Sequence, residues 1–274
     1  ISGNITNDYT FYKDTTYLLS GFVYVKNNAT LRIQPGTLIK GKKAERSTLI
    51  ITMGSKIIAD GTRKNPIVFT SASEAGQRAP GDWGGLVILG KGLINRPSDC
   101  NTCPGASLAA SLPGVQAAIE GDIDNAVGDG LFGGTDNEDN SGILRYVRVE
   151  FAGVVISPGN EINAITLGAV GRGTVMEYIQ VSQSNDDAFE WFGGAVNAKY
   201  LIAQGSVDDD FDADMGYIGN IQFAISQRDS FLFDTGTNPT TNSIETDSDA
   251  GSGDLRPITA PVFSNFTMIG PCAS

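Results

Sequence analysis

Between Ile143 and Asp234 the apolar positions alternate with other residues in short runs, as in Ile179-Gln180-Val181 and Phe223-Ala224-Ile225. The runs are β-branched or aromatic and are bounded by Gly, Asn or Asp, which is the pattern of short strands rather than of helices. These runs also echo one another. Phe189, Phe211 and Phe233 lie 22 residues apart, and each is followed by an acid: Glu190, Asp212 and Asp234. Ile179, Leu201 and Phe223 keep the same step, as do Val181, Ala203 and Ile225. Self-similarity at this period predicts a solenoid, in which each repeat buries its apolar side only by stacking on its neighbours. Helical repeats would need ten or more residues of 3.6-residue periodicity, and the leucine-and-asparagine signature of leucine-rich repeats is absent. The predicted fold is therefore all-β: a right-handed parallel β-helix with coils of about 22 residues, each strand pairing with its counterpart one coil along at about 4.8 Å.

The first part of the chain reads the same way with a looser period. Strand-like runs at Leu18–Val25, Thr30–Gln34, Leu49–Thr52, Ile67–Thr70 and Leu86–Leu89 are separated by Asn27-Asn28, Pro35-Gly36, Gly54, Gly61 and Gly81. These turn residues supply the positive-φ or fixed-φ corners a coil needs. Aligning Tyr146 with Tyr178 places Val147 over Ile179 and Val149 over Val181, and loops out about ten residues near Ser157–Asn163. Two longer segments interrupt the solenoid. Residues 96–140 hold an Ala-rich stretch (Gly105–Glu120) with the makings of a short helix, then a Gly/Asp-rich loop; residues 235–257 are polar and acidic. Long loops carry function or are tolerated insertions, and both readings stand. One domain over residues 1–274 accommodates all of this.

Charge and cysteine content narrow the chemistry. The chain has 34 glycines, no histidine and a formal charge of −12, which argues against nucleic acid or an anionic membrane as partner and favours cations. No apolar run approaches the roughly 18 residues of a membrane span. Ile1 in place of an initiator methionine reads as a mature or trimmed chain. A single Cys-x-x-Cys, Cys100 and Cys103, without histidine or a second pair is poor zinc chemistry. It reads as a local disulfide pinning a surface loop, with Cys272 free or paired elsewhere.

The acids carry the strongest chemical signal. Asp186-Asp187 recurs as Asp208-Asp209 at the 22-residue step, so these carboxylates, with Glu190 and Asp212, would stack one coil apart. Two unit charges at about 4.8 Å repel by roughly 1 kcal/mol in water and several times that at an effective dielectric near 20. Either they splay into solvent or a cation sits among them. Oxygen ligands of this kind suit Ca²⁺, and the lack of histidine disfavours transition metals. A second pattern, acid-x-acid-x-(Asp or Asn)-x-Gly, occurs three times: Asp136, Glu138, Asn140 and Gly142; Asp210, Asp212, Asp214 and Gly216; Glu245, Asp247, Asp249 and Gly251. Its glycine falls one place late for an EF-hand and the closing glutamate is missing. The candidate metal ligands are thus Asp186, Asp187, Glu190, Asp208, Asp209, Asp210, Asp212, Asp214, Asp136, Glu138, Glu245, Asp247 and Asp249. The alternative is a solvated acidic edge with Asp and Asn as turn formers.

Several segments resemble a family of secreted or outer-membrane-associated proteins of Bacteroidota-type bacteria: Thr30–Gly36, Asn65–Ser71, Gly81–Gly85, Leu144–Phe151, Asn160–Asn163, Ser184–Gly194 with its echo Asp208–Asp212, and Phe263–Thr267. The resemblance implies a parallel β-helix exported to the cell surface or beyond, often in proteins with a type IX sorting domain, and it leaves the biochemical role open. One expectation is a non-catalytic, calcium-stabilised surface module for adhesion, scaffolding or assembly, with a glycan or another copy, joined through coil ends, as partner. The other is a calcium-dependent polysaccharide lyase by analogy of fold with pectate lyases. That chemistry needs a base, for which Arg228 is the candidate; ion pairing with a neighbouring carboxylate is its plainer role. Trp191 would stack on a sugar or pack internally.

Overall fold

In the computed structural model, residues 1–95, 115–157, 160–235, 241–248 and 255–271 are described. Cys100, Cys103 and Asp249 lie outside them. The chain winds into a parallel β-helix of three faces. The first face stacks Ser2–Ile5, the second half of Thr16–Val25, Thr48–Ile51, Gly85–Leu89, Ile165–Gly168, Phe189–Phe192, Phe211–Asp214 and Glu245–Thr246, all parallel. The second begins with Tyr9–Phe11, Thr30–Ile33 and Lys56–Asp60, and the third with the first half of Thr16–Val25, Leu38–Gly41 and Ile67–Ser71. From Gly142–Glu150 onward one long strand per coil serves both. Among the described residues the one helical element is a 3₁₀ turn at Lys43–Glu45, and no helix is long and apolar enough to cross a membrane.

The inward rows form the core. Leu31, Ile57, Leu144 and Met176 line the second face, Ile39, Phe69, Val147, Ile179 and Leu201 the third, and Leu49, Leu86, Ile165, Phe189 and Phe211 the first, all buried. Where the long strands turn from the second face to the third, Tyr146, Tyr178, Tyr200, Phe223 and Asn265 take positive φ of 49°, 56°, 59°, 60° and 56°. A left-handed non-glycine residue costs about 1–2 kcal/mol. Here the bend recurs in every coil and turns the four aromatic rings outward into a stack, with centroids 4.6, 4.4 and 5.2 Å apart and planes within 11°. Aromatic pairs of this kind return about 0.5–1.5 kcal/mol beyond area burial.

The alignment of Val147 over Ile179 and Val149 over Val181 holds, and the intervening loop contains the small hairpin Val155–Ser157 and Asn160–Glu161. Four expectations are corrected. Leu201 lies beside Ala224 and Ala203 beside Ser226, not beside Phe223 and Ile225. The step is 23 there because the corner between Asp214 and Ile221 holds one residue more than the coil before it, so Phe223 joins the outer aromatic stack. Phe233 is not the third member of the internal phenylalanine column: it is 52% exposed, and Glu245, not Asp234, pairs with Asp212. The coil resumes at Ile244, which packs on the core, so Glu245–Thr246 belongs to the solenoid rather than to an insertion. Finally, the described end of the Ala-rich stretch is a strand, Ala117–Ala118, paired antiparallel with Leu131–Phe132.

That first inserted segment is a second core rather than a loose loop. Val115, Ala117, Ile119, Ile123 and Phe132 pack on Ile50, Val87 and Leu89, which face out of the first face. Gly85–Leu89 is therefore buried along its whole length, and its unbroken apolar run reflects cover on both sides. At the re-entry point Gly142 has φ +120°, and a Cβ there would lie 1.9 Å from the Ile57 carbonyl oxygen. No other residue fits.

Substituting Phe211 by Ala should destabilise the protein by about 3–5 kcal/mol, since the ring is fully buried and stacks on Phe189 at 5.4 Å. Phe233→Ala should stay within about 0.5 kcal/mol. Chemical denaturation of both variants checks the register, which a large loss at Phe233 would contradict.

Candidate metal site on the first face

The outward column of the first face changes character down the axis. Tyr24, Ile50 and Val87 give way to Thr166, then to Glu190, Asp212 and Glu245, each in register with the next. The apolar rows are covered by the inserted segment, and the acidic rows lie below it. Two further acid pairs, Asp186-Asp187 and Asp208-Asp209, sit in the turns that lead into Phe189–Phe192 and Phe211–Asp214. Asp187 accepts the Asp209 backbone N–H at 2.9 Å, and Asp209 accepts the Asn242 N–H in the next coil. The second acid of each pair, Asp187 and Asp209, thus caps the backbone one coil down with one oxygen.

Ligand oxygens of Asp186, Asp187 and Asp208 fall within 4.8 Å of one another, and so do those of Asp187, Glu190 and Asp212. Asp187 belongs to both groups. Asp208 Oδ1 and Asp212 Oδ1 are buried without a hydrogen-bond partner, the condition that a bound cation relieves. Two residues outside the repeat pattern join the site. Glu120, from the inserted segment, accepts from Asn163 Nδ2 at 2.9 Å, and the same amide donates to Glu190. The 22-residue step could not reveal Glu120, because the inserted segment has no counterpart in other coils; its place in an acid-bearing segment of 96–140 was the available hint.

Electrostatics follow from the crowding. Burial, reinforced by neighbouring carboxylates, holds Asp186, Asp187 and Glu190 well above the usual carboxylate range. Burial likewise pushes Glu120 and Asp212 up to about 7, Asp208 to about 6 and Asp209 to about 9. These groups can be satisfied by protons or by a metal ion, and an all-oxygen donor set of this density can hold one.

The other sequence candidates have separate places. Asp210 occupies an inward position that alanines hold in the preceding coils, Ala164 and Ala188, and it is fully buried. It pairs with Arg228 Nη1 at 2.9 Å and accepts from Ser226 Oγ. The remaining Arg228 contacts are to the Asn242 carbonyl oxygen at 3.2 Å, through Nη1, and to those of Ser206 at 2.9 Å and Val207 at 3.4 Å, through Nη2, with only 6% of the side chain exposed. Asp214 lies on the same outward side of Phe211–Asp214 as Asp212. Asp136 caps the Glu138 N–H, Glu138 pairs with Arg172 at 2.9 Å, and Asn140 caps Gly142, so this pattern builds a turn. Asp247 is exposed. Trp191 is buried against Phe189 and Tyr217 and is not available to a sugar.

The profile of the pectate-lyase-like β-helix domain matches residues 3–274. The chain belongs to that family. No curated protein and no solved structure matches it. Within this β-helix family, the site is an acidic column on one outer face, roofed on one side by the inserted segment.

A carboxyl whose folded-state pKa is raised stabilises the fold relative to its ionised form at low pH, and that contribution is lost as pH climbs from the unfolded value near 4 through the folded value. In metal-free buffer, melting temperature should therefore fall from pH 5 to pH 9, through the range set by about 6 for Asp208, about 7 for Glu120 and Asp212 and about 9 for Asp209. Asp212→Asn should raise the metal-free melting temperature at pH 8 by several degrees, at about 2–4 °C per kcal/mol for a chain of this size. Thermal melts across pH check both; a metal-free melting temperature that rises with pH contradicts the charge-crowding account.

Proposed function

We propose that this chain is a non-catalytic, calcium-stabilised β-helix module displayed at the cell surface or secreted, serving adhesion, scaffolding or assembly. The observation that carries the reading is the convergence of Asp186, Asp187, Glu190, Asp208 and Asp212 with orphaned buried oxygens. Calcium fits better than magnesium because the donors are many carboxylates at irregular positions, and Ca²⁺ accepts six to eight oxygens in flexible geometry. Asp187 would bridge the two halves, and the ion would fix successive coils to each other. The resemblance to exported Bacteroidota-type proteins supports the location outside the cell, where free calcium is abundant enough to fill a site of modest affinity.

The family description favours a second reading, a calcium-dependent polysaccharide lyase. Such an enzyme needs a base beside the cation to remove the proton next to a uronate carboxylate. Burial and neighbouring carboxylates hold Asp208 up at about 6, and Arg228 opposes them only in part; its guanidinium is held by Asp210 and by carbonyl oxygens of the coil wall. That geometry makes it a structural counter-ion to a buried carboxylate, which supports the non-catalytic reading.

Elemental analysis of the purified protein should find calcium, and EDTA should lower the melting temperature. A ligand held at 100 times its Kd contributes about 2.7 kcal/mol, or about 5–10 °C at this size; an unchanged melt and no bound metal overturn the calcium assignment. Arg228→Ala should destabilise by about 3–5 kcal/mol, because it leaves Asp210 buried and unpaired, with Asp210→Asn in the same chain restoring part of the loss. Assays on polygalacturonate and alginate with Ca²⁺ should show no lyase product; turnover abolished by Arg228→Ala but retained by a comparably destabilised Phe211→Ala variant would establish the lyase instead.

A further inference from the structure

The third face carries a groove of about 610 Å³ beside the aromatic stack, on the far side of the coil corner from the second face. Its floor is an outward row in which each residue lies beside the next one coil along: Arg148, Gln180, Ile202 and Ile225. One wall is the stack of Tyr146, Tyr178, Tyr200 and Phe223, whose last three members are 39–40% exposed. Both rows change in the same direction. The floor runs from guanidinium to amide to aliphatic side chains, and the wall loses its hydroxyl at the Phe223 end. Arg63 adds a second cation at the Arg148 end. Neither arginine makes an ion pair or a hydrogen bond within the described residues, and no acid lines the groove although the chain carries a net charge of −12.

We infer that this groove binds a single-chain amphiphile with an anionic head, a medium- or long-chain carboxylate, its head at Arg63 and Arg148 and its tail along Ile202 and Ile225. The volume lies in the range of small-molecule sites, which are mostly apolar with a few placed polar groups. The gradient spans three coil spacings, about 14 Å at about 4.8 Å each, so a linear tail lying along the axis matches it and a compact ligand does not. Two unpaired arginines supply charge-assisted donors for a carboxylate. The bulk field of an acidic protein opposes an anion, so the local concentration of cations is what permits one. The site is independent of the metal column, which lies on a different face.

Isothermal titration with decanoate below its micellar concentration, against decyltrimethylammonium as the same tail with the opposite head, tests the assignment. Decanoate should bind saturably and at least about tenfold more tightly, the scale of one contact to a charged group, against the preference that the net charge alone would give. Arg148→Ala, at an exposed position, should weaken decanoate about tenfold and leave decyltrimethylammonium unchanged. Ile225→Asp should weaken decanoate further with an unaltered melting curve. Absence of saturable decanoate binding, equal affinity for the two heads, or insensitivity to both substitutions overturns the inference. So does sedimentation showing a dimer that Ile225→Asp dissociates, which would make the groove a surface between copies of the chain.

Discussion

Parallel stacking in register is the constraint from which the rest of this molecule follows. The strands of the three faces pair in parallel with the coil before and the coil after, so a residue's nearest non-local neighbour there is the residue at the same station one coil along. At about 4.8 Å like side chains are forced into contact along whole columns. For apolar side chains this is favourable at every step: Phe189 on Phe211, Ile179 on Leu201, Val181 on Ala203. For carboxylates the same geometry is costly at every step, and Glu190, Asp212 and Glu245 meet it without the freedom to splay apart.

The fold handles that cost locally and in two ways. Where a carboxylate points into the core, as Asp210 does, a dedicated arginine neutralises it and the coil wall absorbs the remaining donors. Where the carboxylates point outward, they are gathered under a roof formed by the inserted segment, which contributes Glu120 and draws Asn163 into the same network. A roof makes the repulsion worse by excluding water, so the arrangement is stable only with protons or a cation inside. The insertion brings apolar cover over Ile50 and Val87 and a further acid, Glu120, to the acidic column, a donor set that could hold a cation.

Much of this was legible in the sequence because a solenoid writes its contacts at a constant interval. The columns Phe189–Phe211, Glu190–Asp212 and Asp187–Asp209 and the alignment of Tyr146 with Tyr178 follow from counting. The count failed where a corner changed length. One extra residue between Asp214 and Ile221 shifted Phe223 from the core to the surface, and nothing in the local pattern could show it, since Phe223, Ala224 and Ile225 are all apolar and any of them fits an inward station. Likewise Phe233-Asp234 imitates Phe211-Asp212 in type, yet the backbone has left the coil there and returns only at Ile244-Glu245. Periodicity predicts contacts only while coil length is conserved. It is also silent on inserted residues, which is why Glu120 and the second core were invisible to it.

Register also sets which charges meet on the surface. On the second face Asp60, Arg145, Glu177 and Lys199 alternate in sign along one column, on the first face Glu190, Asp212 and Glu245 follow one another, and the corner column of aromatic rings stays free of charge. On a chain with a net charge of −12 the third-face groove is lined by Arg63 and Arg148 and by no acid, and 22 to 32 residues of sequence separate floor stations that in space are neighbours. A strip of stacked aromatic rings bounds that groove. The left-handed bends at Tyr146, Tyr178, Tyr200 and Phe223 show how such a strip is kept. Each bend is unfavourable alone, and each becomes tolerable because the ring it turns outward lands on the ring of the coil before. The aromatic corner is therefore a cooperative feature of the stack: a single coil would not pay for it, and removing one ring weakens the reason for the bend in both its neighbours.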